Sequence, residues 1–232
     1  MVTSDDRTPR RAVFGRRKGR RLKPRHALLL ETLLPPLAVP LGAPPPRDLA
    51  DLFLVPVDGV QLEIGFGGGE HLAGEARAAP HIGFIGCEPF VNGMAKMLSL
   101  VDQHGLANVR LHLGDAAELL AWLPAGSLAR VDLLYPDPWP KRRHWKRRFI
   151  QDATVGAMAR VLCVGGEARC ATDIADYAAW ALDHFLRSPA FAWTAERAED
   201  WRQPWLGHVA TRYETKTRRE GRVPCYLTFR RR

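Results

Sequence analysis

Val131–Ile150, VDLLYPDPWPKRRHWKRRFI, is the stretch on which the reading of this chain turns. Its first five residues, Val131–Tyr135, are an apolar run of the kind expected for a buried strand of a parallel sheet. Pro136, Pro138 and Pro140 then end it, because each fixes φ and lacks an N–H. Asp137 and Trp139 stand between these prolines, a carboxylate and a large flat ring at the mouth of the sheet. Six cations follow within eight residues: Lys141, Arg142, Arg143, Lys146, Arg147 and Arg148, with His144 and Trp145 among them. A bare charge run reads first as a solvated helix start. The proline-caged Asp–Trp pair beside it shifts the balance toward chemistry on a polyanion.

Composition points the same way. The chain has 232 residues, enough for one domain with a two-faced sheet, and carries 34 Lys and Arg against 25 Asp and Glu. A net charge of +9 favours nucleic acid as partner, with an anionic membrane second. Cys87, Cys163, Cys170 and Cys225 contain no C-x-x-C pair and read as reduced thiols. The eight scattered histidines make no metal motif, so no metal site is expected. Arg16–Leu41 imitates a signal peptide, but Glu31 and Pro35-Pro36 interrupt it and no run reaches the length of a membrane span. A soluble, cytoplasmic protein with no membrane partner is expected, a monomer being the favoured state.

Along the chain, residues 1–25 read as a flexible basic arm and 26–56 as a short helix (His26–Leu34) with a proline-rich connector. From Val57 to the C-terminus, strands and helices alternate, which argues for an α/β sheet. Strands are expected at Gln61–Ile64, Ile82–Cys87, Val109–Leu113, Val131–Tyr135 and Ala168–Thr172. Apolar spacing predicts helices over Phe149–Leu162 and Ile174–Leu186. Late strands at Phe191–Thr194 and Pro224–Phe229 would pair antiparallel at the sheet edge.

The first strand runs into LEIGFGGGEHL, where Gly65, Gly67, Gly68 and Gly69 let a backbone approach a ligand closely. The dinucleotide pattern G-x-G-x-x-G fails, because Glu70 takes its last position. Glu63, inside the strand, suits a ligand carrying an ammonium group. Glu88 ends the second strand, where an acid commonly accepts both ribose hydroxyls. Asp115 follows the third, placed for an adenine amino group or for capping the next helix. Three acids at consecutive strand ends are hard to explain by capping alone. Together they read as a nucleoside edge, S-adenosylmethionine being the best match.

With the glycine turn, PDPWPKRRHWKRRF and the tail segment TRYETK in view, the chain resembles the bacterial tRNA (guanine-N7-)-methyltransferase family, TrmB. The resemblance runs from about Val57 to the C-terminus, with P-D-P-W-P-K its most specific motif, and extends to the basic FGRRKGRRLKPR arm. It implies a Rossmann-like class I S-adenosylmethionine-dependent methyltransferase fold: a mostly parallel sheet with an antiparallel edge strand and helices on both faces. It implies methyl transfer from S-adenosylmethionine to N7 of guanine 46 in the tRNA variable loop. Matched to the family's cofactor positions are Glu63, Gly65, Gly67, Glu88, Asp115 and Asp137, the last also catalytic. Lys141, Asp173 and Thr211–Glu214 (Thr211, Arg212, Tyr213, Glu214) match substrate contacts, and Arg143, His144, Trp145, Lys146, Arg147 and Arg148 the RNA-contact run.

Guanine N7 carries a free lone pair, so its methylation removes no proton and needs no general base. The residues must align the reacting atoms and favour a forming cation, a task that suits Asp137. Asp173 is expected to accept from guanine N1–H and N2–H, or to cap the helix after it. Trp139 and Trp145 read either as base-stacking rings or as core. Two other functions stay open: a nucleobase amino-group methyltransferase, since D-P-W resembles D-P-P-[YW], and, ranked last, a noncatalytic RNA-binding subunit.

Overall fold

Short β-branched and leucine-rich runs build the centre of the protein, whose computed structural model describes residue 15 and residues 17–232. The part of the expected arm at residues 1–14 and 16 lies outside the described residues. Five strands run parallel: β1 Val60–Ile64, β2 Gly83–Cys87, β3 Val109–His112, β4 Leu128–Leu134 and β5 Leu162–Thr172. At one edge β7 (Cys225–Arg231) pairs antiparallel with β5, and β6 (Phe191–Trp193) antiparallel with β7. The resulting order is β3-β2-β1-β4-β5-β7-β6.

Helices α3 (Glu70–Ala78), α4 (Val91–His104), α5 (Ala116–Trp122), α6 (Asp152–Val161) and α7 (Ala175–Arg187) fill the crossovers. Successive strand residues face opposite sides, and the two cores follow that alternation. Phe84 packs with Leu72, Met94 and Leu98 from α3 and α4, while its neighbour Ile85 packs with Leu119, Met158 and Tyr177 in the cluster that α5, α6 and α7 cover.

Several boundaries depart from expectation: β4 starts at Leu128 and not Val131, and two others depart for local reasons. β5 starts six residues early, at Leu162, because a register shift opposite Leu128–Arg130 absorbs the Gly165-Gly166 pair that disguised it. Helix α6 starts at Asp152, not Phe149. Gln151 and Thr154 cap it reciprocally, and the extended Gln151 sets Phe149 and Ile150 outside the helix. The antiparallel edge strands stand where expected.

Before the sheet, α1 (Pro24–Thr32) and α2 (Leu34–Leu37) pack beside α4 and β3. The helix begins at Pro24, two residues before the expected start, since proline's fixed φ suits a first turn. The proline-rich connector is packed: Val39 N–H donates to Leu111 O (2.9 Å) and the Trp122 indole to Ala43 O (2.7 Å). After β6 come α8 (Glu199–Arg202) and α9 (Arg212–Arg219). The connections leaving β1 and β4 part in opposite directions along the sheet, opening a crevice at their carboxyl ends. No helix of the described residues is long and apolar enough to cross a membrane.

Candidate active site

A cavity of about 500 Å³ occupies that crevice. Glu63, Gly65, Gly67, Glu88, Asp115 and Asp137 all line it, so every residue expected at the cofactor contributes to one site. Gly65 takes a left-handed conformation (φ +73°) and a Cβ there would meet nothing within 4 Å, leaving the cradle open for a ligand. At Gly93 the reason for glycine is packing: a Cβ would stand 2.3 Å from Gly67 O, so α4 lies directly against the turn.

The acids on this wall are held by hydrogen bonds. Glu88 accepts from Gly67 N–H (2.7 Å) and Phe90 N–H (2.9 Å). Burial raises its pKa, and those two N–H groups oppose the rise. Asp115 accepts from Ala117 N–H (2.9 Å), so it caps α5 while lining the cavity, and the two roles coexist. Glu63 is buried with Oε2 2.8 Å from His71 Nδ1. Burial alone would lower the pKa of His71; the charge and hydrogen bond of Glu63 outweigh it and bring it to about 8.

The opposite wall is the proline loop. Tyr135 (φ +50°) and Trp139 (φ +41°) both adopt left-handed backbone without being glycine, a cost on the order of 1 kcal/mol or more each. The surroundings hold them there: Tyr135 N–H donates to Ala171 O (2.8 Å) and Arg148 Nε to Pro138 O (2.9 Å). Asp137 lies between the two strained residues, on the cavity wall. Burial raises its pKa, and among the described residues no donor reaches its carboxylate.

The cationic run winds into a 3₁₀ helix, Arg142–Arg147. Three residues per turn sort its side chains onto three faces. Arg143 and Lys146 share an exposed face, beside exposed Lys141. His144 and Arg147 turn to Trp139, the imidazole edge-on at 5.7 Å and the guanidinium 5.0 Å from the ring centre, and Arg147 joins Trp139 on the cavity wall. Trp145 and Arg148 turn inward. The expected contact of Arg148 with RNA is therefore corrected, since it is fully buried among Trp145, Tyr177 and Trp180; Trp145, half-buried, packs on Trp180 at 5.4 Å. Of the two tryptophans, Trp139 lines the cavity and Trp145 packs inward.

The tail closes the cavity from above α3 through Thr211, Arg212 and Tyr213, whose ring lies 3.6 Å from the position of a Cβ at Gly67. Thr211 caps α9 by accepting from Glu214 N–H. Two expected substrate contacts fall elsewhere. Glu214 is buried and saturated, accepting from Tyr226 O–H (2.6 Å) and Arg218 Nε (3.1 Å) and pairing with His208 Nε2 (2.7 Å). Burial opposes its ionisation, but His208 and Tyr226 prevail and hold its pKa at about 2. Asp173 accepts from Thr217 Oγ1 (3.1 Å), pairs with Arg222, and lies outside the cavity lining. It does not cap α7 either, since Ile174 N–H donates to Thr172 Oγ1. Both acids anchor α9.

Sequence reasoning missed three positions. His71 on α3 and His208 before α9 pack ring to ring (5.1 Å), joining the Glu63 and Glu214 pairs. Asn92 accepts from Gly19 N–H (2.7 Å) and donates to Arg20 O (2.8 Å), while Val91 N–H donates to Arg17 O, so the basic segment docks on α4 beside the cavity. None leaves a local pattern; each depends on a segment far away in sequence.

Comparison with known proteins agrees with this architecture. The family model described as "Putative methyltransferase" matches residues 58–226. A tRNA (guanine-N(7)-)-methyltransferase of Rhodopseudomonas palustris (strain BisB5) is 61% identical over 220 residues, covering 95% of this chain and 86% of its own length. Its counterpart in Nitrobacter hamburgensis is 62% identical, with 95% and 86% covered. Among solved structures, the 16S rRNA methyltransferase KamB superposes with a TM-score of 0.56 at 16% identity, over 76% of this chain and 89% of that one. A precorrin-6y C5,15-methyltransferase from Geobacter metallireducens GS-15 gives 0.50 at 13% identity, over 79% and 86%. These two speak for the class I methyltransferase fold alone. The extent and identity of the curated matches, together with the cavity at the crevice, place the chain in the bacterial tRNA (guanine-N7-)-methyltransferase family.

Proposed function

We propose that the protein transfers a methyl group from S-adenosylmethionine to N7 of guanine 46 in the variable loop of tRNA. The observation that carries this reading is one cavity in which three hydrogen-bonded acids face a fourth, Asp137, whose carboxylate meets no donor among the described residues. The donor set fits the cofactor: each oxygen of Glu88 keeps acceptor capacity for a ribose hydroxyl, Asp115 for an amino group, and Glu63 adds negative charge suited to an ammonium. Open space at Gly65 leaves room for the ligand. When bound, S-adenosylmethionine supplies an electrophilic methyl group on a sulfonium.

The protein's own residues then need to do three things. Asp137, ionised, stabilises the positive charge that grows on the guanine as N7 is alkylated, and takes no proton. Trp139, backed by Arg147, and Tyr213, with the Arg212 guanidinium 5.2 Å from its ring centre, offer flat walls for the base. Lys141, Arg143 and Lys146 face solvent and meet the phosphate backbone, supplying affinity without sequence choice.

The test is to incubate the protein with methyl-labelled S-adenosylmethionine and tRNA, then treat the RNA by the reduction and aniline scission that cut at 7-methylguanosine. Cleavage at position 46, with the label there, is expected. Label retained on an exocyclic amine and no scission would establish the amino-group methyltransferase instead.

A further inference from the structure

We infer that Arg148 is a positioning residue for the Asp137 loop and makes no contact with RNA; this rests on the methyl-transfer reading above. Three independent observations meet at this side chain. Arg148 is 0% exposed although it ends a run of cations on the protein surface. Its guanidinium lies 5.0, 5.5 and 4.9 Å from the ring centres of Trp145, Tyr177 and Trp180, an aromatic cage drawn from the 3₁₀ helix and α7. Its fork divides: Nε donates to Pro138 O (2.9 Å) and Nη2 pairs with Asp176 in the first turn of α7.

A buried guanidinium is costly unless paired, and here its charge is met by a carboxylate and three ring faces. The carbonyl it holds belongs to the residue next to Asp137. Backbone strained at both Tyr135 and Trp139 relaxes unless something opposes it. Arg148 supplies that opposition from beneath, so the Asp137 carboxylate is fixed without accepting a hydrogen bond from any described residue. Arginine suits the site because its rigid fork serves the two acceptors from separate nitrogens, Nε and Nη2, a spacing that the single nitrogen of an ammonium does not reproduce. The cage is itself fixed, since Trp180 Nε1 donates to Ile150 O (2.7 Å) and Gln151 Nε2 to Trp145 O (2.9 Å).

The experiment compares Arg148→Lys and Asp176→Ala with wild type in single-turnover methyl transfer under saturating enzyme, alongside tRNA binding over a salt series and S-adenosylmethionine binding. For Arg148→Lys the rate constant should fall roughly 10²-fold, the usual consequence of displacing a reacting group by about 1 Å. tRNA affinity, its salt slope and cofactor affinity should be those of wild type. Asp176→Ala, which removes one arm of the fork, should show a smaller drop in the same rate constant. A merely structural role lowers only the concentration of folded enzyme, which at saturating enzyme leaves the rate constant at its wild-type value; that result overturns the inference. So does a reduced salt slope in Arg148→Lys, which would make it a phosphate contact. Should Arg148→Lys fail to fold, Asp176→Ala decides: a slower step at unchanged affinities supports the inference, and a wild-type rate sinks it. Methylation of another atom by the wild-type protein would defeat the functional reading but leave this rate comparison standing.

Discussion

The two walls of the cavity hold their acids in opposite ways. On the glycine-turn wall each carboxylate is gripped directly: Glu63 by His71, Glu88 by two backbone N–H groups, Asp115 by the first turn of α5. On the proline-loop wall, among the described residues, Asp137 is gripped only through its backbone, by the flanking prolines and by Arg148 beneath Pro138. Hydrogen bonds hold the first set in place, as suits sites that bind a ground state. A carboxylate left without donors and partly buried keeps its full interaction for charge that appears during the reaction. On the proposed function, the first wall serves binding and the second the chemical step.

That contrast is broken most sharply at Asp137. Asp137→Asn should leave both binding events in place and slow single-turnover methyl transfer by roughly 10²–10³. A matching drop in cofactor affinity would make the two walls alike. Next in size is Glu88→Gln, which should weaken S-adenosylmethionine binding roughly tenfold to a hundredfold, or about 1.5–3 kcal/mol for hydrogen bonds to a charged acceptor. Calorimetric titration reads this directly; unchanged affinity would reduce Glu88 to a clamp on the glycine turn.

The gripped wall also carries a pH signature. The pKa of His71 is raised from 6.5 to about 8 in the folded protein, so its pairing with Glu63 stabilises fully below pH 6.5 and is lost as pH rises through 8. The difference corresponds to about 2 kcal/mol at most. Denaturant unfolding at pH 6 and 9 should show the wild type losing on that order relative to His71→Asn; parallel curves would mean the pair contributes no net stability. The smallest effect is expected on the outer collar. Arg143→Gln with Lys146→Gln should flatten the salt dependence of tRNA binding, by roughly 0.7–0.9 of a log–log slope for each phosphate that is no longer neutralised. An unchanged slope would make that face merely solvated.

Much of the gripped wall could be read from sequence, because a strand's carboxyl end fixes where the next residue stands. Glu88 directly follows its strand, Asp115 and, on the other wall, Asp137 stand three residues past theirs, and all three line the cavity. Burial created by distant partners left no such mark. Arg148 looks like Arg143 in a string of cations, and it is distant α7, through Asp176, Tyr177 and Trp180, that turns it inward. Glu214 and Asp173 lay in a substrate-like pattern, yet His208, Tyr226, Thr217 and Arg222 commit them to holding α9. The two basic runs teach the same point. Residues 17–20 dock on α4 through Val91 and Asn92, whereas 142–147 wind into a 3₁₀ helix with Trp145 packed beside Arg148. Spacing within the run, not its charge, decides which cations remain for RNA.

The most direct test of the open carboxylate is the pH dependence of single-turnover methyl transfer by the wild-type protein. If Asp137 acts by charge and takes no proton, the rate should be level once the carboxylate is ionised, from about pH 6 to 8. A rate that instead climbs tenfold per pH unit across that range, with the climb absent in Asp137→Asn and a solvent deuterium isotope effect on the same step, would contradict the electrostatic role and identify Asp137 as a general base.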